Sequence, residues 1–170
     1  MLGGMKTNPI HIRRFEEQDW AQVWDVLKPV FRLGQTYAFA ADISEGEAHK
    51  AWVETPQQTY VSEKDGQVVG TYTIKPNQPG QGAHVCNCGY VVASNRRGQG
   101  IAAQMCSHSL VEARSLGFKA MQYNLVVASN ADAIHLWQKM GFEVVGRLPR
   151  AFNHPQLGYV DALVLYQWLG

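Results

Sequence analysis

The stretch from Val91 to Ala102 constrains the fold more than any other part of this chain. An apolar run ends at Val92, a short polar turn follows, and Gly98 and Gly100 precede a segment with helical spacing. The first backbone N–H groups of a helix have no partner inside the helix, and the peptide dipoles make that end electropositive. Glycines let a ligand approach the backbone, and Arg97 adds a positive charge suited to phosphate. The stretch therefore predicts a strand, a diphosphate-binding loop and a helix, in that order.

Two common phosphate-binding motifs are missing from this stretch. A dinucleotide fingerprint needs a third Gly or Ala in register after Gly98 and Gly100, and Ala103 gives only a loose match. A P-loop needs Gly-Lys followed by Ser or Thr, which does not occur here. On the glycines alone, a turn that only serves packing remains the alternative.

Hydrophobic periodicity along the whole chain predicts a single domain over residues 5–170. Asp65-Gly66 between two alternating runs predicts a β-hairpin, and Ser44 followed by Glu47 predicts a helix N-terminus. The interval 149–158, rich in Pro, aromatic and His residues, is expected to be a loop. The predicted strands are 10–14, 59–63, 67–75, 84–92, 120–127, 143–147 and 162–166; the predicted helices are 18–31, 44–52, 100–116 and a last one ending near 140. This order predicts an α/β fold with a single mixed, mainly antiparallel sheet of about seven strands, flanked by about four helices.

Composition excludes several classes of protein. The net charge of +1 over 170 residues gives no electrostatic reason to expect nucleic acid or an anionic membrane as partner. No apolar run is long enough to span a bilayer, and the N-terminus lacks the apolar core of a signal peptide, so we expect a cytoplasmic protein. Residues 1–4 precede a second Met at position 5 and are set aside from the fold.

The three cysteines do not predict a disulfide framework. Cys86 and Cys88 are two residues apart in an extended run, so their side chains are expected on one side of a strand. No second ligand pair with zinc spacing occurs, and no metal site is expected. Reduced, structural cysteines are favoured over a metal or redox role.

Two segments resemble the GNAT superfamily of N-acetyltransferases. The run Arg97-Gly98-Gln99-Gly100-Ile101-Ala102 is similar to the family's pyrophosphate loop, Arg/Gln-x-x-Gly-x-Gly/Ala. The run from Asn130 to Phe142 resembles its Asn-x-x-Ala-x-x-Leu-Tyr-x-x-x-Gly-Phe segment, and the order of elements is that of the family. The chain is identified as a member over 10–169. The resemblance implies the GNAT fold, acetyl-CoA as acetyl donor and transfer to an amine.

The resemblance also implies where acetyl-CoA binds, between the strands that end at Val92 and Val127. Backbone groups of Val91 and Val92 are expected to bind the pantetheine arm. Asn130 is expected to bond the same arm, to cap the following helix, or both, while Ala133 leaves room for the arm. The diphosphate is expected at Arg97, Gly98, Gln99, Gly100, Ile101 and Ala102.

Two positions depart from the family pattern. Trp137 stands where many members have a Tyr that protonates the leaving thiolate, and an indole N–H cannot act as an acid at neutral pH. We expect Trp137 to pack against the cofactor arm or the core. The fourth strand also lacks the Glu that many relatives use as a base, and Asn87 stands there instead.

Polar residues in and near the later strands are the candidates for the acceptor site: Asn87, Asn124, His154 and Asp161. Strand interiors disfavour Asn and Asp, so each is expected to have a specific hydrogen-bonding role, substrate binding or structural. Together with Gly89-Tyr90, Phe152 and Pro155, they resemble a branch that acetylates proline analogues such as azetidine-2-carboxylate. In that branch strand Asn side chains hold the substrate; His154 as base and Asp161 as cation-binding group are hypotheses from the residues alone.

The leading hypothesis is therefore acetyl-CoA-dependent N-acetylation of a small amine or amino-acid-like acceptor by direct transfer. A protein N-terminal or lysine acetyltransferase is an alternative within the enzyme class. A non-catalytic acyl-CoA sensor is the alternative outside it, because the usual Glu and Tyr are missing. The last two strands are candidates for pairing in a homodimer.

Overall fold

In this computed structural model, residues 8–170 form a seven-stranded sheet with helices on both faces. The first four residues, and the start of the domain assigned to 5–170, lie outside the described residues. The strands are β1 (His11–Arg14), β2 (Gln58–Lys64), β3 (Gln67–Pro76), β4 (Val85–Val92), β5 (Ala120–Val127), β6 (Glu143–His154) and β7 (Gly158–Trp168). The α-helices are α1 (Trp20–Leu33), α2 (Glu45–His49), α3 (Ile101–Ser115) and α4 (Ala131–Lys139).

The strand order across the sheet is β1-β2-β3-β4-β5-β7-β6. Neighbouring strands are antiparallel except β4 and β5, which are parallel. The predicted fold class and order of elements are therefore confirmed. Among residues 8–170, no helix is both long and apolar enough to cross a membrane.

The helices divide the core between the two faces of the sheet. On one face, α1 buries Val23, Leu27 and Val30, which recur at helical spacing, against a cluster that includes Trp52. On the other face, α3 and α4 cover a second cluster that includes Met105 and Trp137. We call these the α1–α2 face and the α3–α4 face.

Two local predictions from the sequence are confirmed. Asp65 and Gly66 have φ values of 53° and 75°, as a type I′ turn requires, and they join β2 to β3. The Ser44 hydroxyl accepts a bond from the Glu47 N–H at 3.2 Å, and the Glu47 carboxylate accepts one from the Ser44 N–H at 2.9 Å. The helix that follows is α-helical only to His49 and continues as a π-helical turn over Lys50–Glu54.

The prediction of a loop over 149–158 is wrong. β6 continues to His154 and β7 begins at Gly158, so most of the interval is a β-hairpin. A bulge between Leu148 and Phe152 takes up the intervening residues, with Arg150 at φ 53°. Pro149 is tolerated because β6 is an edge strand, where a missing N–H leaves no ladder bond unmade.

Candidate active site

The parallel strands β4 and β5 separate soon after they begin. Their register holds only Val85 opposite Ala120 and Cys86 opposite Met121. Beyond this point β4 pairs only with β3, and β5 pairs only with β7. The C-terminal halves of the two strands therefore border a gap in the middle of the sheet, as the family resemblance implies.

The β3–β4 ladder determines which β4 backbone groups face this gap. The Ala93 N–H donates to Val69 at 2.9 Å and the Asn77 N–H donates to Val85 at 2.8 Å, and bonded pairs alternate along an antiparallel ladder. Even-numbered residues of β4, including Val92, consequently direct their N–H and C=O groups into the gap. The N–H and C=O groups of Val91 point the other way, toward Thr71 of β3. The backbone contact predicted at Val92 suits this register, whereas the one predicted at Val91 does not.

The Gly-rich loop at the end of β4 leaves its backbone accessible. Gly98 and Gly100 have φ values of 75° and 76°, and among residues 8–170 no heavy atom outside the adjoining residues lies within 4 Å of a Cβ position at either glycine. Gly100 is the N-cap of α3 and supplies no capping side chain; the first turn closes with the Gln104 N–H on the Gly100 carbonyl at 3.1 Å. The N–H groups of Ile101 and Ala102 thus have no intrahelical acceptor and remain free to bind a diphosphate.

A close contact between α3 and β3 fixes the position of this loop. A Cβ on Gly70 would lie 3.1 Å from Met105 Cε and 3.2 Å from Ile101 Cγ2. Gly70 pairs with Val92, the last residue of β4. The missing side chain therefore lets the first turn of α3 lie directly on the sheet beside the gap.

Arg97 and Gln99 extend from the loop into solvent. Within residues 8–170, neither Arg96 nor Arg97 forms an ion pair with a carboxylate. Arg97 is consequently available to an anionic ligand, and its contact with the diphosphate stays a prediction.

The second predicted cofactor segment lies at the start of α4. The Asn130 side chain caps this helix by accepting a bond from the Ala133 N–H at 3.4 Å. Ala133 is half-buried beside it. Trp137 is only 9% exposed, and its ring packs 5.0 Å from the ring of Tyr90 and 5.1 Å from that of Tyr123. A contact of Asn130, Ala133 or Trp137 with acetyl-CoA stays a prediction.

A chain of hydroxyl groups lies under Trp137 on the α3–α4 face. The Tyr123 hydroxyl donates to the Tyr90 hydroxyl at 2.9 Å, and the Tyr90 and Ser109 hydroxyls share a bond of 2.7 Å. Burial raises the pKa of both tyrosines well above their ordinary value. These hydroxyls bond one another and α3, so they do not replace the family's Tyr as proton donors in the gap.

The opposite face of the gap carries a cluster of amide side chains, Asn77, Asn87, Gln122 and Asn124, which we call the amide cluster. Asn87 Nδ2 donates to the Gln122 carbonyl at 2.9 Å, at the first β5 residue beyond the paired register. Gln122 Nε2 donates to Asn124 Oδ1 at 2.9 Å, and Asn124 Nδ2 donates to Asn77 Oδ1 at 2.6 Å. The structure thus brings together two of the predicted acceptor residues, Asn87 and Asn124.

Aromatic side chains from the α1–α2 segment lie next to this cluster. A Cβ on Gly89, two residues after Asn87, would lie 3.1 Å from the Tyr37 hydroxyl and 3.4 Å from Trp52. The Tyr37 hydroxyl donates to the Tyr90 carbonyl at 2.9 Å, and Phe39 stacks on the Tyr37 ring. Gly89 therefore makes room for an aromatic wall beside the amides.

His154 and Asp161 lie elsewhere, in the β6–β7 hairpin. His154 Nδ1 accepts the N–H groups of Gln156 and Leu157, each at 3.2 Å, which caps the turn. Asp161 accepts the Arg150 N–H at 2.9 Å and bonds Arg147 at 2.8 Å; these bonds lower the pKa of its carboxyl group. Asp161 lies three β7 residues from Val164, which is opposite the bulge that contains Asn124, or about 10 Å along the strand. The structure does not bring these two residues to the amide cluster, and their catalytic roles stay predictions.

The sequence interpretation missed Gln122 and Asn77. Gln122 lies two residues before Asn124, and residues two apart in a strand share a face, so this spacing was the available signal. Asn77 is in the turn after β3, and nothing in the sequence brings it to Asn124, 47 residues away.

Comparison with known proteins agrees with this geometry. A model of the acetyltransferase (GNAT) family matches residues 20–142. N-acetyltransferase aca1 of Schizosaccharomyces pombe is 38% identical over 104 residues, which make up 59% of this chain and 48% of the yeast protein. The chain thus spans about half the length of that curated relative.

Solved structures extend the similarity over nearly the whole chain. A GCN5-related N-acetyltransferase from Kribbella flavida is 36% identical, with a TM-score of 0.89 over 94% of this chain and 98% of the other. The structure of yncA from Salmonella typhimurium with its cofactor acetyl-CoA shares the fold at 21% identity, with a TM-score of 0.84 over 96% of this chain and 95% of the other. As the two sequence motifs predicted, the chain belongs to the acetyltransferase (GNAT) family.

Proposed function

We propose that this acetyltransferase moves the acetyl group of acetyl-CoA to the amine of a small, amino-acid-like molecule by direct transfer. The observation that carries the proposal is the amide cluster on the α1–α2 face, at the point where β4 and β5 separate. It lies across the sheet from α4, which carries or adjoins the predicted acetyl-CoA residues Asn130, Ala133 and Trp137.

The residues of the loop fit acetyl-CoA. The open backbone at Gly98 and Gly100 and the free N–H groups of Ile101 and Ala102 suit a diphosphate, with Arg97 beside them. The gap-facing groups of Val92 suit the amides of a pantetheine arm. When bound, acetyl-CoA supplies the activated thioester that an amine can attack.

The amide cluster can orient an acceptor by hydrogen bonds, but it offers no base to remove the proton of the amine. Within the described residues, no carboxylate or imidazole bonds any member of the cluster. Amide groups cannot take a proton from an ammonium ion, so we propose that the acceptor loses its proton to solvent. The attacking molecule is then the neutral amine; CoA would leave as a thiolate that takes a proton from solvent, and the nitrogen would lose its remaining extra proton to solvent as the amide forms.

Direct transfer is supported by the protonation of Cys88, a thiol of β4 at the gap. Cys88 lies in β4 at the gap, and its side chain is buried in the α3–α4 face. Burial raises the pKa of this thiol well above its ordinary value, which keeps it protonated at neutral pH. A protonated thiol is a poor nucleophile, so an acetyl-cysteine step is not part of the proposal.

The test is CoA release from acetyl-CoA, followed with a thiol-reactive dye, across a panel of amines and amino acids. Asn124→Ala should lower kcat/KM for the acceptor about tenfold or more, because a bond that orients the substrate is lost. Its Kd for acetyl-CoA, measured by calorimetry, should stay unchanged. Arg97→Ala is the matched variant on the other face and should weaken acetyl-CoA binding instead.

The pH dependence tests the missing base. With no enzyme base, kcat/KM should rise with pH and follow the pKa of the acceptor amine, so acceptors of different pKa should give shifted profiles. One common profile for all acceptors would point to an enzyme base such as His154. Tight acetyl-CoA binding with no CoA release by any acceptor would favour the sensor alternative over this proposal.

Three finer points belong to the same proposal. We propose the branch that acetylates proline analogues, on the basis of Asn87 and Asn124. A homodimer through the β6 edge is supported by exposed Val144, Val145 and Leu148, and light scattering of the purified protein tests it. A cytoplasmic location remains an expectation from the sequence.

A further inference from the structure

We propose that Lys75 binds the carboxylate of an amino-acid-like acceptor beside the amide cluster. This inference rests on the proposed function and deepens it, because it separates free amino acids from amines that lack a carboxylate. Nothing in the sequence motifs or the family comparison points to Lys75.

The register of β3 places Lys75 directly opposite Asn87 of β4. Asn77 and Val85 form a hydrogen-bonded pair, and such pairs recur every second residue. Lys75 and Asn87 are therefore also a bonded pair, with Cα atoms about 5.5 Å apart. Side chains of directly opposed residues lie on the same face of a sheet. Lys75 thus shares the α1–α2 face with Asn87.

The amide cluster surrounds this position along both strands. Asn77, two residues after Lys75, accepts the bond from Asn124. Asn87, opposite Lys75, donates to Gln122. Lys75 therefore starts between the two ends of the cluster on the same face, and its four-carbon side chain is long enough to reach a ligand bound at either end.

The charge of Lys75 has no counter-ion among residues 8–170. Lys75 is half-buried and takes part in no ion pair, whereas Arg13 is paired with Asp19 and Glu63, and Arg147 with Asp161. The neighbouring amides are neutral and offer both donors and acceptors. A half-buried lysine without a counter-ion, beside neutral amides, is a favourable site for an anion, and a carboxylate suits both kinds of group.

An α-amino acid joins these observations, since it carries a carboxylate one carbon away from the amine. The amine must reach the gap between β4 and β5, and the carboxylate then lies close enough for Lys75 and the amides to bind it. The N-terminus of a peptide has an amide in place of that carboxylate. The proposed site therefore selects free amino acids over peptides.

The experiment compares L-amino acids with their amides, using the full chain. Binding is measured on CoA-loaded protein by NMR of the ¹⁵N-labelled side-chain amides, and turnover is measured by CoA release from acetyl-CoA. Lys75→Met should weaken the binding of the free amino acids and raise their KM, each by about 10- to 100-fold. The binding and KM of the amino-acid amides should stay unchanged. Lys75→Arg should restore most of the preference. Lys64→Met, which removes another half-buried lysine at the far end of the β2–β3 hairpin, is the matched control.

Each outcome separates this inference from the proposed function. Three results would overturn the role of Lys75. The wild type could bind amino acids and their amides equally, it could bind neither, or Lys75→Met could lose the binding of both ligands to the same extent. Acetylation of amines without a carboxylate preference would leave the proposed function standing. Carboxylate binding that depends on Lys75, with no CoA release from acetyl-CoA, would support the inference and reject the proposed function.

Discussion

The two faces of the sheet differ at the gap between β4 and β5. On the α3–α4 face the polar groups are buried hydroxyls and thiols that bond one another, such as Tyr90, Tyr123 and Cys106. On the α1–α2 face, besides the Tyr37 hydroxyl that donates to the Tyr90 carbonyl, they are amides that are partly exposed and keep unused hydrogen-bonding capacity. Within the described residues, for example, no group donates to Asn87 Oδ1, although Asn87 Nδ2 is bonded.

This difference shows how each face would recognise its ligand. Side chains on the α3–α4 face satisfy one another, so a ligand there depends on backbone groups at Val92, Ile101 and Ala102. Side chains on the α1–α2 face remain available to a ligand. We therefore expect the cofactor side to be sensitive to backbone position and the acceptor side to be sensitive to side-chain identity.

The largest expected effect is the response of the α3–α4 face to alkaline pH, to which the α1–α2 face adds Tyr37, whose pKa is also raised by burial. Burial raises the pKa of Cys88, Tyr90 and Tyr123, and that of Cys106 to about 11. In the unfolded chain, thiols and phenols lose their protons near pH 9 and 10, so the native state binds more protons above these values. The free energy of unfolding should consequently fall as the pH rises above about 9, by up to about 1.4 kcal/mol per pH unit for each group.

Urea unfolding at pH 7.5, 9 and 10 measures this fall. Cys88→Ala should make the slope shallower, because one of the titrating groups is removed. Amide side chains do not titrate, so Asn124→Ala should leave the slope unchanged. A free energy of unfolding that stays constant up to pH 10 would contradict the picture of a buried, protonated α3–α4 face.

Gly70→Ala should have the next largest effect, on the cofactor side. The added Cβ would lie 3.1 Å from Met105 and 3.2 Å from Ile101, in the contact that seats α3 on β3. Overpacking of this kind costs about 1–3 kcal/mol in the free energy of unfolding. We also expect weaker binding of acetyl-CoA by calorimetry, because the first turn of α3 must shift. Gly46→Ala, in helix α2 with no contact for the new Cβ within 4 Å, is the control. It should leave acetyl-CoA binding unchanged and should not lower the free energy of unfolding, because Ala favours a helix over Gly.

Gly89→Ala is the corresponding change on the acceptor side. The new Cβ would lie 3.1 Å from the Tyr37 hydroxyl and would push it away from the Tyr90 carbonyl. The loss of this internal hydrogen bond should lower the free energy of unfolding by about 1 kcal/mol. The displaced aromatic wall should also raise the acceptor KM, by roughly five- to tenfold if it costs about 1 kcal/mol of acceptor binding. The Kd of acetyl-CoA should not change. An effect on acetyl-CoA binding as large as that of Gly70→Ala would mean that the two faces do not act separately.

The same contrast explains how much of the site the sequence could predict. The Gly-rich loop was predictable because its determinants are local: two glycines, an Arg and the start of a helix within a few residues. The amide cluster depends on strand register, which places Asn87 beside Gln122, 35 residues away. The polar residues Asn87 and Asn124 were identifiable as unusual strand residues, but their partners Asn77 and Gln122, and Lys75 beside them, were not.

The prediction of a loop in place of the β6–β7 hairpin was wrong for a related reason. Pro149 and the residues after it suggested a loop, because local sequence rules associate Pro with a break in a strand. In the folded chain the Arg150 N–H bonds Asp161 of β7, 11 residues away, and the bulge at Leu148 accommodates Pro149 within β6. The same pairing uses both oxygens of Asp161, which the sequence alone offered as a free carboxylate.

Cys88→Ala should have the smallest effect on catalysis, and it tests whether acetyl transfer crosses the gap directly. Cys88 is the thiol of β4 beyond the paired register with β5, one residue after Asn87, but its side chain lies in the α3–α4 face. If the amine attacks acetyl-CoA without an acetyl-cysteine, kcat should stay within about threefold of the wild type, or about 0.6 kcal/mol in activation free energy. A small loss of stability from the buried cavity is expected and is measured separately by urea unfolding. Loss of all acetyl transfer in a folded Cys88→Ala protein, together with an acetylated Cys88 in the wild type by mass spectrometry, would replace direct transfer with a covalent route. Activity close to that of the wild type would support direct transfer. It would also agree with a sheet in which the two faces on either side of β4 bind their ligands separately.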